Sequence, residues 1–385
     1  MIKSYKVMLI PNNKQKSKFF AISGACRFVY NWAIAKEKEN YEQGNKFINQ
    51  FDLRKEFTKL KNQKEYYWLY QYSNDALKQS IKDACLAYDN FFKGLSDYPQ
   101  FKKKGKSKHS FYCDALKIEF SETCVKLEKI SNSTKKNRTK LNWIRLAEHN
   151  RIPVNVKYYN PRITFDGLNW WISVGVEENI PIGNQEYTDG IGIDLGIKNL
   201  LICSDGKTYG NINKSKKIKK IEKRKKRLQR SLSRKYLKNK KGEKWLKTQN
   251  IKKLEKKVLK ENRRLTNIRT DHLYKSINDI VNRKPRFINI EDLNAEGMMK
   301  NHKLAKSISE ASFNKIKQIL TYKCHAKGIE LRIIDRWFPS SKICSNCGNI
   351  KKDLKLKDRV YICEACGISI DRDFNASINI LRYKF

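Results

Sequence analysis

Two Cys-x-x-Cys pairs, Cys344/Cys347 and Cys363/Cys366, stand 15 residues apart near the C-terminal end of the chain. Each pair forms a tight knuckle that offers two thiolates to one ion. Four thiolates close a tetrahedral shell with no open coordination position, which predicts a structural zinc ribbon over 340–370. Gly348 and Gly367 follow the pairs, where the chain must turn sharply. Two disulfides would need an oxidising compartment, and the opening MIKSYKVMLIPNNKQ is too charged to read as a secretion signal. A redox Cys-x-x-Cys would come as one pair, not two.

Three carboxylates make the second candidate. Asp194 lies inside the apolar run GIGIDLGIKNL, with Ile193 and Leu195 on one face and itself on the other. Gly192 and Gly196 leave room beside it for a backbone or a phosphate. Glu291 ends the strand-like RFINI; alone, it reads equally as a ligand or as a polar strand end. Asp371 and Asp373 flank Arg372 before the helix-like NASINIL, with Asp371 as the cap. Three acids on a sheet, in a basic chain, point to two magnesium ions clamping a phosphodiester. Their order along the chain fits an RNase H-like α/β layout.

The charge names the class of partner. Lys and Arg number 83 against 39 Asp and Glu, a net +44 over 385 residues. Such an excess predicts a polyanion, with nucleic acid as the default. No apolar run approaches the roughly 20 residues of a membrane span, so a soluble, cytoplasmic, nucleoid-associated protein is expected. The six scattered cysteines read as small core residues.

The elements that must position these groups follow from periodicity. IKSYKVMLI at 2–10 alternates like a strand. Asn12 to Tyr41 reads as a helix with Phe19, Ile22, Cys26, Val29 and Ala33 on one face. A second helical region covers 51–95, with Asn74 or Asp75 as the expected cap of its last piece. Short alternating runs from SFYCDALKIEF to RITFDGLNWWISVGV predict an antiparallel β unit. Together these suggest a β-barrel with a helical insertion. Residues 189–210 read as hairpin strands, and the very basic 214–270 as two long helices broken at Gly242. SISEASFNKIKQILTYKCHAKG reads as one helix stopped at Gly328, and IELRIID as a strand. Trp170 and Trp171 are expected to split between core and surface. His272 is expected on a helix surface or in a cap.

Several of these stretches carry a resemblance. CRFVYNWA (26–33), ALKQSIKDACLAYDNFF with YPQFKKK (76–104), GIDLGIKNL (192–200), IEDLNAEGM (290–298), DRWFPSSKICSNCG (335–348) and DRDFNASINIL (371–381) resemble TnpB, the insertion-sequence OrfB family, related to compact type V CRISPR effectors. The resemblance implies an RNA-guided DNA endonuclease that is encoded by a transposable element and reads a short target-adjacent motif. It implies a RuvC-like site at Asp194, Glu291 and Asp373. It divides the chain into a wedge β-barrel (1–10 and 96–182), a helical recognition lobe (11–95), a RuvC-like domain (183–339), the zinc ribbon and a final RuvC-like segment (371–385). Guide RNA from the element's end and double-stranded target DNA are the implied partners. Lys102, Lys103, Lys104 and the basic hairpin would then face phosphates. Arg372 would steady a phosphate or pair with a neighbouring acid. Family members often carry His just before the acid–Arg–acid triplet, whereas this chain has Ile370. The competing readings are a compact type V CRISPR effector, a transposase accessory and an RNA-guided DNA-binding repressor.

Overall fold

The computed structural model describes residues 2–131, 140–178, 186–242, 244–355 and 358–385. The chain divides into two compact units, Met1–Asn179 and Ile180–Phe385.

The N-terminal unit starts with β1 (Ile2–Ile10) and helix α1 (Asn13–Glu42). Asn12 caps α1 in a reciprocal capping box with Gln15, which satisfies two otherwise orphaned N–H groups. The predicted stripe from Phe19 to Ala33 is buried. Next come α2 (Gln50–Lys61), a 3₁₀ segment (Lys64–Gln71) and α3 (Asn74–Phe92). The cap of α3 is Ser73, one residue before the expected Asn74 or Asp75; its hydroxyl accepts from the Ala76 N–H.

Strands β2 (Ser110–Tyr112), β3 (Glu119–Phe120), β4 (Cys124–Lys126), β5 (Trp143–Leu146), β6 (Tyr158–Phe165) and β7 (Trp170–Glu177) complete the unit. With β1 they form one seven-stranded sheet in the order β2-β6-β7-β1-β5-β4-β3, antiparallel throughout. Among the described residues no ladder joins the edge strands β2 and β3, so hydrogen bonding leaves the expected barrel open. Trp170 is buried and Trp171 is half-exposed, as alternation requires.

The C-terminal unit is built on β8 (Ile191–Leu195), β9 (Asn199–Cys203), β10 (Thr208–Gly210), β13 (Phe287–Glu291) and β14 (Glu330–Ile334). Between β10 and β13 run helix α4 (Lys216–Lys238), the two-residue strands β11 (Lys240–Lys241) and β12 (Lys244–Trp245), and helix α5 (Gln249–Asn282). This is the predicted hairpin, its turn at Gly242 in the left-handed region. His272 of α5 meets the Gly210 carbonyl at 2.9 Å. Helices α6 (Ala295–Met299), α7 (His302–Ala311) and α8 (Phe313–Ala326) follow β13. The single helix expected over α7 and α8 is two, because Ser312 sits at φ +58° and breaks the hydrogen-bond ladder. Strands β15 (Val360–Ile362) and β16 (Ser369–Asp371) form a small hairpin, and helix α9 (Arg372–Leu381) closes the unit.

The sheet order is β10-β9-β8-β13-β14, with β8, β13 and β14 parallel and β9 antiparallel to β8. The two faces differ. Ile191, Ile193, Ile288 and Ile290 point into a core shared with Ile277 of α5 and Ile316 of α8. Gly192 and Asn289 point the other way, onto α9. A Cβ on Gly192 would lie 2.2 Å from the Ser377 carbonyl oxygen, so only glycine lets the helix pack this close. Asn289 lies opposite Gly192 and donates to the carbonyls of Ile380 and Leu381 at 2.9 and 3.1 Å, tying down the end of α9. No helix among the described residues is long and apolar enough to cross a membrane.

Candidate functional site

Strand alternation puts Asp194 on the Gly192 face and Glu291 on the Asn289 face, which is the same face, toward α9. Both sit at the carboxyl ends of neighbouring parallel strands, one step beyond the paired Ile193 and Ile290. Asp373 lies in the first turn of α9, whose cap is Asp371, accepting from the Asp373 and Phe374 N–H groups at 3.0 Å each. Three segments far apart in sequence thus meet at one corner of the sheet.

The electrostatics agree. Burial first, then the neighbouring Glu291 and Asp373 carboxylates, push the Asp194 pKa well above the usual carboxylate range. Burial also raises Glu291, against a hydrogen bond from Ser340 Oγ to its Oε1 at 2.5 Å. Asp373 is bracketed by cations. The Arg372 guanidinium donates to Oδ1 at 3.2 and 3.3 Å, and Arg359 lies 3.7 Å from Oδ2. Of the two roles open to Arg372, this is the pairing with a neighbouring acid. Asp292, beside Glu291, is taken up by Lys317 and Arg336. Half-buried carboxylates gathered on one face, with Asp194 raised by the charge of the other two, offer hard oxygens suited to a hard divalent cation.

The four cysteines converge tightly. Among the described residues they are the only set of three or more candidate ligands whose donor atoms all lie within 4.8 Å of one another. Cys344 and Cys366 sulfurs are 3.7 Å apart, and those of Cys347 and Cys363 3.6 Å. Both distances are far beyond a disulfide bond, and they match the roughly 3.8 Å edge of a tetrahedron with Zn–S bonds of about 2.3 Å. Gly348 and Gly367 adopt φ of 78° and 72°, the left-handed turns that fold each knuckle back. The Ile368 backbone N–H, and then the Asn346 side chain, pull the Cys366 thiol down to about 6, which favours the ligating thiolate. Tyr361, fully buried, fills the ribbon's small core.

The ribbon and the last acid are one construction. The Arg372 N–H donates to the Arg359 carbonyl at 2.9 Å, so the β15–β16 hairpin runs straight into α9. Asn375, two residues after Asp373, accepts from the Ser345 N–H of the first knuckle at 2.9 Å and donates to the Ile343 carbonyl at 2.7 Å. Asn379 donates to the Ser340 and Ile343 carbonyls. Ser340, Arg359, Asn289, Asn375 and Asn379 escape sequence reasoning. The only hint is the polar Asn375 and Asn379, four residues apart in an otherwise apolar helical pattern.

The basic residues separate. Lys103 and Lys104 are exposed. Lys102 turns inward, its Nζ 3.5 Å from the Tyr30 ring centre and its backbone bonded to Asn31. In the α4 arm of the hairpin Ile218 and Ile221 are the buried residues, and most Lys and Arg side chains of that helix face outward.

Comparison with known proteins adds three family matches. Residues 313–380 match the Cas12f1-like TNB domain, 172–302 a family described as probable transposase, and 1–46 a helix-turn-helix domain. Over 379 residues the chain is 30% identical to a putative RNA-guided DNA endonuclease of Streptomyces pristinaespiralis, covering 98% of this chain and 88% of that protein. It is 28% identical over 395 residues to the putative RNA-guided DNA endonuclease InsQ of Escherichia coli K12, covering 99% and 92%. Among solved structures, the Cas12f1-sgRNA-target DNA complex matches with a TM-score of 0.55 at 12% identity, over 99% of this chain and 98% of that one. At that identity the likeness concerns the fold.

Proposed function

We propose a mechanism from one premise: the chain belongs to the TnpB (insertion-sequence OrfB) family of RNA-guided DNA endonucleases. The protein cleaves DNA under the direction of an RNA, as part of a transposable element, with guide RNA and target DNA as its partners. The finer assignments are our reading. The five-stranded sheet with α9 is an RNase H-like, RuvC-type core carrying the zinc ribbon. The seven-stranded sheet is the wedge, and α1 to α3 the recognition lobe, within the boundaries the motifs imply.

Asp194, Glu291 and Asp373 form the cleavage site and would hold two magnesium ions. When bound, these ions supply Lewis-acid stabilisation of the charge on the attacking and leaving oxygens. The chain's own residues do the rest. Ser340 fixes the Glu291 carboxylate. Asn289 and Gly192 set α9 against β8 and so fix the height of Asp373 beside Asp194. Arg372 and Arg359 hold Asp373 through its carboxylate and are placed to turn toward a phosphate entering the corner. Exposed lysines and arginines of α4 and α5 bind phosphates without reading sequence; base pairing with the guide reads it.

The observation that carries the reading is the meeting of three acids from β8, β13 and α9 on one face. The test is Asp194→Ala. It keeps guide-RNA binding and loses DNA cleavage. Cutting at the wild-type rate would remove Asp194 from the site.

A further inference from the structure

The N-terminal unit has a pocket unrelated to the acids of the sheet. Phe47, Tyr88, Phe91, Phe92 and Tyr98 wall a cavity of about 300 Å³ with Glu37 at its floor. The rings are fixed by mutual contact: Tyr88 and Phe92 stack at 6.1 Å, Phe47 stands edge-on to Phe92 at 5.8 Å, and Tyr98 edge-on to Phe91 at 5.3 Å. They are not a closed core, since Phe92 is 63% and Tyr98 43% exposed.

Glu37 is the unexpected member. It is only 3% exposed. Its Oε2 accepts from the Ile48 N–H at 3.2 Å, while Oε1, equally buried, has no hydrogen-bond partner. A buried unpaired carboxylate oxygen is costly, and burial raises its pKa to about 7. A ligand that donates one N–H to Oε1 removes that cost. The same ligand must be flat and π-faced to use the walls. Lys46 and Lys93, both exposed, adjoin Phe47 and Phe92 in sequence and put positive charge at the mouth. A flat N–H donor attached to a polyanion is an unpaired nucleobase, and an exocyclic amine projecting from the ring suits a buried carboxylate better than the uracil N3–H, which two carbonyl oxygens flank. Asn40, Tyr41 and Asn45 complete the lining, and a ribose 2′-hydroxyl, which both donates and accepts, can pair with such side chains where a deoxyribose cannot.

We propose that this pocket takes one splayed, amino-bearing base of the guide RNA, stacked on the aromatic walls and hydrogen-bonded to Glu37. The inference rests on the reading of the chain as RNA-guided. It adds a point of direct base recognition within the RNA, apart from guide–target pairing.

The experiment measures binding of the full chain to short labelled RNAs at raised salt, which suppresses phosphate contacts. The probes are uridine-only oligomers with or without one central cytidine or adenosine, and their DNA counterparts. The expected result is roughly tenfold tighter binding of the amino-bearing RNA. Phe92→Ala, at an exposed position, removes the preference while the protein stays folded. Glu37→Gln also removes it. Its amide oxygen must turn to the Ile48 N–H, leaving an NH₂ where the pocket had an acceptor. Wild-type protein without base preference, or a preference kept by both variants, overturns the proposal, as does equal preference on DNA. If Phe92→Ala instead lowers the oligomeric mass and leaves RNA selection unchanged, the patch binds a second copy of the chain and the proposal falls. Guide-RNA binding at low salt, measured on the same samples, separates the two levels. Its loss in wild-type protein would remove the RNA-guided reading itself, whereas its presence without base preference removes only the pocket.

Discussion

The two ligand clusters of the C-terminal unit are assembled in opposite ways. The four thiols come from two short knuckles, each folded by a local turn with a left-handed glycine. They lie within 4.8 Å of one another, and backbone N–H groups draw two of them, Cys363 and Cys366, toward thiolates. The three carboxylates come from β8, β13 and α9, and nothing local brings them together. They meet only because a sheet and a helix pack correctly. They then crowd one another, half-buried, with Asp194 feeling the charge of the other two, and are steadied by Ser340, Arg372 and Arg359. A cluster made by local turns serves as a brace. A cluster made by the whole fold, at a cost in electrostatic energy, is the kind of place our proposal assigns to the chemistry.

The sharpest way to break this comparison is to delete one member of each cluster. Asp194→Ala lowers cleavage by about three orders of magnitude or more, the scale of losing a group that acts only in the transition state. In the presence of a chelator it leaves the melting temperature unchanged or higher, because a half-buried, repelled carboxylate is gone. Cys363→Ser, or removal of zinc by a strong chelator, does the reverse to stability. The ribbon's apolar core is small, Tyr361 with the partly buried Leu354, Ile368 and Ile370, so metal binding supplies most of its folding energy. Limited proteolysis should cut within 340–370 while the N-terminal unit stays intact. Cleavage falls as well, since Asn375 and Asn379 lose the knuckle that orients α9. A metal-stripped protein that keeps both protease resistance and full activity would reduce the ribbon to an appendage.

The next effect tests the packing rather than the ligands. Gly192→Ala places a Cβ 2.2 Å from the Ser377 carbonyl oxygen and 2.4 Å from the Leu381 nitrogen, both backbone atoms. The helix must move, at a cost of about 1–3 kcal/mol in stability. Because the shift carries Asp373 away from Asp194, cleavage should drop more than stability alone explains. Ser340→Ala is milder. It removes one hydrogen bond to a buried carboxylate, and a loss of roughly tenfold in cleavage with unchanged guide binding is expected. Single-turnover rates on preassembled complexes measure both.

The same distinction decides what could be read from sequence. The ribbon was legible down to its four ligands, because spacing and two glycines specify a local structure. The three acids were legible as strand-end and helix-start residues, since alternation fixes which side of β8 Asp194 occupies. Gly192 was legible as a close approach, although only the structure shows the approaching group to be the backbone of α9. Asn289, Asn375, Asn379 and Ser340 were not legible. Each acts across 30 or more residues of chain, on a carbonyl, an N–H or a carboxylate that no local pattern announces. The errors were also local ambiguities settled by tertiary fit. Ser73 outcompeted its two neighbours as the cap of α3, and Ser312 took a left-handed conformation inside a pattern that reads as unbroken helix. Lys102, which the resemblance groups with Lys103 and Lys104 as facing phosphates, holds its ammonium over the Tyr30 ring, a contact no local pattern announces.

The smallest effect follows from the sign of the carboxylate repulsion. The Asp194 pKa in the folded protein lies above its value in the unfolded chain, because of burial and then of Glu291 and Asp373. The unfolded chain therefore loses this proton at lower pH than the native protein does. Between the two values the native state binds more protons, so stability contributed by the site is full below the ordinary aspartate range and falls as pH rises above it. With divalent cations chelated, the wild-type melting temperature should decline from mildly acidic to mildly alkaline pH more steeply than that of Asp194→Asn, which carries no titrating proton there. Magnesium should flatten the wild-type curve, and should do so most at the alkaline end, where the carboxylates are charged and their repulsion is greatest. Parallel curves for the two proteins would mean that the three acids do not feel one another. The corner of the sheet would then be an assembly of separately satisfied side chains, no different in kind from the surface ion pairs around it.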